Sequence, residues 1–89
     1  MQYNIAGFED RFVRMARALG VKNETGEGVV EYLFDLNERL GIPKTLGGIG
    51  VKEEHIEILA DLAYADFAHP NNPKPVSRED FKMLYTTAL

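Results

Sequence analysis

Apolar residues recur along this chain at helical spacing, and nowhere at the two-residue spacing of a half-buried strand. The first amphipathic stretch runs from about Ala6 to Leu19. Phe8, Phe12, Ala16 and Leu19 fall at steps of four, four and three, which places them on one face, and Val13 and Met15 widen it. Arg11, Arg14 and Arg17 form a basic edge, and Gly20 is placed to stop the helix. A polar stretch from Lys22 to Gly28 follows. Within it Thr25 is the expected cap of a second helix that reaches about Leu40. The apolar positions of that helix are Val29, Val30, Leu33, Phe34, Leu36 and Leu40. Gly41 supplies a stop, and Pro43 forbids continuation.

The segment from Ile42 to Val51 has no period. Gly47, Gly48 and Gly50 permit backbone angles that other residues avoid. Ile42, Leu46, Ile49 and Val51 are too apolar for a free linker, so a loop pinned against the helices is expected. A third helix is predicted from about Glu53 to Phe67, with Ile56, Leu59, Ala60, Ala63 and Phe67 on one face and Glu53 and Glu54 near its start. Pro70 and its neighbours end it. Ser77 followed by Asp80 reads as a capping box for a fourth helix, with Val76 and Phe81 as the staple around it. Phe81, Leu84, Tyr85 and Ala88 give its buried face. The pattern predicts an all-α chain, a small cluster of about four helices.

A length of 89 residues bounds this to one domain at most, and 45% hydrophobic residues exclude a disordered tail. The net charge of -4 comes from 10 basic and 14 acidic residues whose signs alternate. No basic face is offered to nucleic acid or to an anionic membrane surface, and no stretch reaches transmembrane length without charge. With no cysteine, the chain holds no disulfide, thiolate nucleophile or cysteine-ligated metal. Met1 to Asn4 has no basic start and no apolar run behind it, so no leader is expected and a cytoplasmic location is.

Candidate chemistry is confined to two proline-bearing loops, Leu40 to Leu46 and His69 to Ser77. His69 has three readings. It can ligate a metal with Asp66, line a cleft, or close the end of the third helix, where a partial positive charge is favoured. A site built from His55, Asp66 and His69 would need those three to converge. His55 itself, beside Glu53, Glu54 and Glu57, reads as a solvent-facing histidine. Asn71, Asn72, Pro73 and Pro75 suit either a ligand or a tight loop. Lys74 suits an anion or solvent. Gly47, Gly48 and Gly50 make a weak phosphate cradle and a better sharp reversal, because no strand precedes them. Arg11, Arg14 and Arg17 offer an anion patch that Glu9 and Asp10 dilute. Glu53 with Glu57 is an exposed carboxylate pair without a cleft.

Three stretches, read in order, carry a resemblance. They are FVRMARALGV from Phe12 to Val21, LNERLGIPKTLGGIGV from Leu36 to Val51, and LAYADFAHPNNPKPVSREDFKMLYTTAL from Leu62 to Leu89, preceded by Met1-Gln2-Tyr3-Asn4. Together they resemble the C-terminal helical part of the iron-containing, group III, alcohol dehydrogenases, over nearly the whole chain. The resemblance implies one part of a larger all-helical domain in a parent enzyme. That parent has a separate nucleotide-binding domain, absent here, and a metal, Fe(II) or Zn(II), usually held by three histidines and one aspartate. None of those ligands maps onto a residue of this chain. NAD or NADP would serve the parent, and neither cofactor nor metal is expected on this chain alone.

The resemblance also places Ala68 to Lys74 beside the active-site cleft of many relatives. Ala68 stands where a cysteine is common, and Asn72-Pro73-Lys74 keeps an Asn-Pro-Arg pattern with lysine for arginine, which loses the planar fork. The implied cleft lining is Ala68, His69, Asn71, Asn72 and Lys74, with no catalytic residue. The implied partners are the remainder of the dehydrogenase, or a second copy through exposed apolar surface. The alternative is a free-standing helical module that buries its apolar stripe against a partner.

Overall fold

The computed structural model describes all residues, 1–89. Four α-helices carry the chain: α1 (Glu9–Leu19), α2 (Gly26–Arg39), α3 (Ile56–Ala65) and α4 (Arg78–Ala88). Short 3-10 turns lie at Gln2–Asn4, Gly47–Ile49, Glu53–His55 and His69–Asn71, and no strand is present. The fold is all-α, as the spacing predicts. Its contacts divide into two compact units, Met1–Ile42 and Pro43–Leu89.

In the first unit α1 packs on α2 around Phe12, Ala16 and Val29, with Ile5, Phe8, Val21 and Leu33 against them. Helix α1 begins at Glu9 and not at the expected Ala6, because Gly7 holds a left-handed φ of 87° that no helix contains. The Glu9 carboxylate accepts the Gly7 N–H at 3.1 Å. Backbone donors, its own amide first and then that of Gly7, hold its carboxyl below the usual carboxylate range. Thr25 caps α2 as predicted, its hydroxyl accepting from the Gly28 N–H at 3.1 Å.

Both helices end in the same way. Gly20 and Gly41 take left-handed angles, and the amides of Val21 and Ile42 turn back to Ala16 O and Asn37 O. The predicted stripes are wider than the core they form. Phe34 is 62% exposed and Leu40 is also exposed, since Val29 and Leu33 are the residues of α2 that pack into the core with α1. The arginine edge is largely spent. Arg11 lies 5.0 Å over the Phe8 ring, and Arg17 pairs with Glu24 at 2.8 Å.

In the second unit α3 packs on α4, and only Ile56 and Ala60 are fully buried. The predicted third helix is shorter than expected. Its first turn, Glu53–His55, is 3-10, and it ends at Ala65 because Asp66 swings to an extended ψ of 136°. Phe67 therefore leaves the predicted face and stands 89% exposed. The capping box at α4 is present: Ser77 Oγ accepts from the Asp80 N–H at 3.1 Å, and Asp80 Oδ2 accepts from the Ser77 N–H at 2.8 Å.

The glycine-bearing loop is pinned, as expected. Leu46 and Gly47 donate their amides to Ala88 O and Leu89 O at 2.8 and 3.0 Å, which satisfies carbonyls that α4 leaves over. Beside the buried residues, an ion network ties α4 to α3. Arg78 meets Glu57 at 2.8 Å and also Asp61, and Lys82 meets Glu57. Asp61 first, and Glu57 second, raise the Arg78 guanidinium above its ordinary value. Lys82 first, and Arg78 second, hold the Glu57 carboxyl below its own.

Two expectations follow from these contacts. A Cβ built on Gly28 would lie 2.0 Å from Asn23 O, whereas one on Gly48 meets nothing nearer than 3.6 Å. Gly28→Ala should therefore lower the urea midpoint by an amount worth about 1–3 kcal/mol, while Gly48→Ala should stay within about 0.5 kcal/mol of the parent. Equal effects of the two substitutions would contradict the close approach.

The second concerns acid. A carboxyl depressed on folding stabilises the native state at pH above its unfolded value, about 4.3 for Glu. That contribution is lost as pH falls through the lower native value. Arg78→Met should thus cost stability at pH 7 and progressively less in acid, as the pH falls through the lowered native value of Glu57. Hydrogen exchange in α3 and α4 at neutral and acid pH would check this. A difference that persists in acid would assign Arg78 a packing role instead.

Candidate functional site

The loop between α3 and α4 is assembled almost entirely from its own polar groups. Asp66 leaves the helix while its N–H still bonds Leu62 O and Ala63 O, at 3.1 and 3.3 Å. Its carboxylate then accepts the Ala68 N–H at 2.7 Å, an Asx-type turn that starts the descent. Pro70 sits in the first turn of the 3-10 segment His69–Asn71, where its missing N–H is no loss. Asn71 and Asn72 donate their amides to Ala68 O and His69 O at 3.0 Å, and Asn72 Nδ2 donates to Lys74 O at 2.8 Å. Asn72 is thus a loop-builder.

His69 is the centre of this arrangement. Its Nε2 lies 2.9 Å from Tyr64 O, in the last turn of α3. Its ring stacks on Tyr64 with centroids 5.2 Å apart and 23° between planes, and meets Phe81 of α4 edge-on at 5.4 Å and 82°. One imidazole therefore holds the end of one helix, the start of the next and the loop between them. Of the three sequence readings, closing the end of the third helix is realised. Tyr64 and Phe81 were not singled out as site residues. Tyr64 lies off the predicted apolar face, and only its five-residue distance from His69 hinted at a return contact.

The other expected residues fall as follows. Ala68 and Asn71 are exposed, and His69, Asn72 and Lys74 are half-buried. An open hollow of about 460 Å³ is lined by Tyr64, His69, Pro70, Asn72, Pro73, Pro75 and Val76. Ala68, Asn71 and Lys74 do not line it. A second hollow, of about 670 Å³ and within the first unit, lies among Ile5, Val13, Val30 and Phe34 with Glu9, Glu27 and Glu31 at its rim. No motif in the sequence pointed there.

The remaining candidates are consumed by structure. His55 keeps its side chain 45% exposed, as expected of a solvent-facing histidine, and its Nδ1 accepts the Lys52 N–H at 3.0 Å, fixing the turn before α3. The glycine segment cradles nothing: Gly48 N–H goes to Thr45 Oγ1, Ile49 and Val51 amides to Leu46 O, and Gly50 N–H to Gly47 O. No group of three His, Asp or Glu side chains stands where it could hold a metal, so His55, Asp66 and His69 do not converge. Glu57 is not half of a free carboxylate pair, since it is engaged by Arg78 and Lys82. No helix is long and apolar enough to cross a membrane.

What the chain is part of follows from its likeness to known proteins. Residues 1–89 match the model of the Fe-containing alcohol dehydrogenase family, C-terminal. The chain belongs to that family. It is 36% identical over 94 aligned residues to lactaldehyde reductase of Escherichia coli K12, covering 99% of this chain and 25% of that protein. It is 38% identical over 84 residues to maleylacetate reductase of Burkholderia cepacia, covering 94% and 22%. With NAD-dependent methanol dehydrogenase of Bacillus methanolicus the identity is 32% over 94 residues, covering 98% and 24%. The chain thus spans about a quarter of the length of these relatives.

In this member of the family, the residues between α3 and α4 bring together no metal site and no nucleotide fold. Asp66 accepts the Ala68 N–H, His69 Nε2 is spent on Tyr64 O, no group of three candidate ligands forms, and no strand provides a nucleotide fold. Releasing the first of these bonds should loosen the loop without unfolding the helices. Asp66→Ala is expected to speed proteolytic cutting between Phe67 and Lys74 several-fold, about the effect of losing one exposed hydrogen bond worth roughly 1 kcal/mol. Cutting rates equal to those of the unaltered protein would show that the turn is held by Pro70 and Pro73 alone.

Proposed function

We propose that residues 1–89 form the C-terminal helical scaffold of an iron-dependent, NAD(P)-linked alcohol dehydrogenase, and that Ala68, His69, Asn71, Asn72 and Lys74 make one wall of its substrate cleft. The observation that carries this reading is the family match over the full 89 residues. The relatives' names, a lactaldehyde reductase, a maleylacetate reductase and an NAD-dependent methanol dehydrogenase, support an oxidoreductase of small organic compounds. The parent would move a hydride between NAD or NADP and a small alcohol or its aldehyde, with Fe(II) or Zn(II) at the substrate oxygen. Both groups would be held by residues outside this chain, because none of its own side chains fit either.

On this reading the isolated chain is inactive. Its contribution is shape: a loop held rigid at both ends by His69, set on two helices locked together by Arg78. A cytoplasmic location goes with it. The exposed Ile58, Leu62 and Phe67 become surface that the remainder of the parent, or a second copy, covers.

The test uses the polypeptide that carries residues 1–89 in its source cells, about four times as long by comparison with the relatives. It should oxidise NADH or NADPH with a small aldehyde, lose that activity on chelation, and regain it with Fe(II) or Zn(II). The 89-residue chain alone should give no turnover. Failure of the longer polypeptide to reduce any short aldehyde with either nicotinamide and either metal would sink the reading.

A further inference from the structure

We infer that the first unit carries a docking groove along α2, and that its occupant is helix α1 of a second copy of this chain.

The groove is made of two hollows. The one of about 670 Å³ has an apolar floor of Ile5, Val13, Val30 and Phe34 and carboxylates of Glu9, Glu27 and Glu31 around it. A smaller one, of about 220 Å³, adds Met1, Leu33 and Asn37. Both have Gln2, Val30 and Phe34 as walls, so they are continuous. On α2 the lining runs from Gly26 to Asn37, about 16 Å at the rise of an α-helix. Met1 and Phe34 are exposed there and leave apolar area in water.

Charge selects the occupant. Glu24 and Asp35 of the same unit are paired with Arg17 and Arg39. Glu27 and Glu31, one turn apart on α2, have no ion pair in the chain, and Glu9 is engaged by backbone amides alone. No lysine or arginine lines either hollow. Like charges one turn apart repel, and a cation set between them removes that cost. The groove therefore takes a helix of about three turns that carries an apolar strip edged by basic side chains.

The chain itself has such a helix. Met15, Ala18 and Leu19 of α1 are exposed, and Arg11 and Arg14 stand four residues before Met15 and Ala18, on the same strip. Arg14 has no ion partner, and Arg11 meets only the Phe8 ring. With 11 residues, α1 is about 16 Å long, which matches the groove. The groove touches α1 at Glu9 and Val13, whereas the strip lies on the flank beyond Phe12 and Ala16. The two surfaces thus cannot meet within one chain. Because they are different patches, the contact between copies is head-to-tail, and each copy keeps a groove for the next.

The test is sedimentation equilibrium of the polypeptide that carries residues 1–89, over a range of concentrations, with circular dichroism of every variant. The unaltered protein should associate, and added salt should weaken the association. Glu27→Lys with Glu31→Lys should weaken it about ten- to hundredfold, and so should Arg11→Glu with Arg14→Glu. Mixing these two variants should restore association, since each then offers the other a complementary surface. Restoration would also show that both are folded. Glu53→Lys with Glu54→Lys makes an equal change of charge in the second unit and should leave association within about twofold.

A protein that stays single at every concentration would overturn the inference and mean that another segment of the polypeptide fills the groove. Association indifferent to the groove variant, but lost in Phe67→Ser, would place the contact on α3 and overturn it too. Equal weakening by the Glu53 and Glu54 control, or a mixture of folded variants that stays apart, would show general repulsion and not this pairing. None of these outcomes touches the dehydrogenase reading, which is decided by turnover.

Discussion

Backbone groups left over at helix ends govern this molecule, because so little of its side-chain surface is buried. Five residues, Phe12, Ala16, Val29, Ile56 and Ala60, make up the fully buried apolar core. Each α-helix leaves several amides and carbonyls without an internal partner, and an unpaired polar group away from water is expensive. The chain answers at each end with a specific device. Gly20 and Gly41 fold the following amides back onto α1 and α2, Thr25 and Ser77 cap from the side, and the Leu46–Gly47 amides take the last carbonyls of α4. The loops have the shapes they have because those partners had to be brought within reach.

This constraint explains why polar residues that looked chemical are not free to act. His55, Asp66 and the glycine segment each supply a donor or acceptor that a nearby backbone group needs. A metal would have to compete with those bonds and would find no third ligand. His69 differs in one respect. Imidazole has two nitrogens at opposite edges of the ring, so satisfying Tyr64 O uses only one of them.

Much of this was legible in the sequence, for local reasons. Glycine past an apolar run, Ser-x-x-Asp before another, and Thr25 ahead of Gly26 are signals that act over three or four residues, and each stands where it was read. The family was legible from three stretches in order, since spacing of loops survives where single residues do not. What was not legible involved distance or direction. Arg78 reaches Glu57 and Asp61 across 21 and 17 positions, which no periodicity encodes. The start of α1 depended on the sign of φ at Gly7, and the end of α3 on whether Asp66 bonded forward or stayed helical. Phe34 and Phe67 were read as buried because the pattern marks what is apolar and not what covers it.

The two kinds of surface that result are physically distinct. Ile58 and Leu62 on α3, and Phe67 just beyond it, leave apolar area in water, an arrangement that costs free energy until something covers it. The loop that follows is already closed by its own bonds, between Asp66 and Ala68, His69 and Tyr64, and Asn72 and Lys74, and gains nothing from being covered. A protein that must bury one face while keeping a neighbouring loop open to small molecules meets this division directly. The exposed stripe is driven toward polypeptide and the self-satisfied loop is left to solvent.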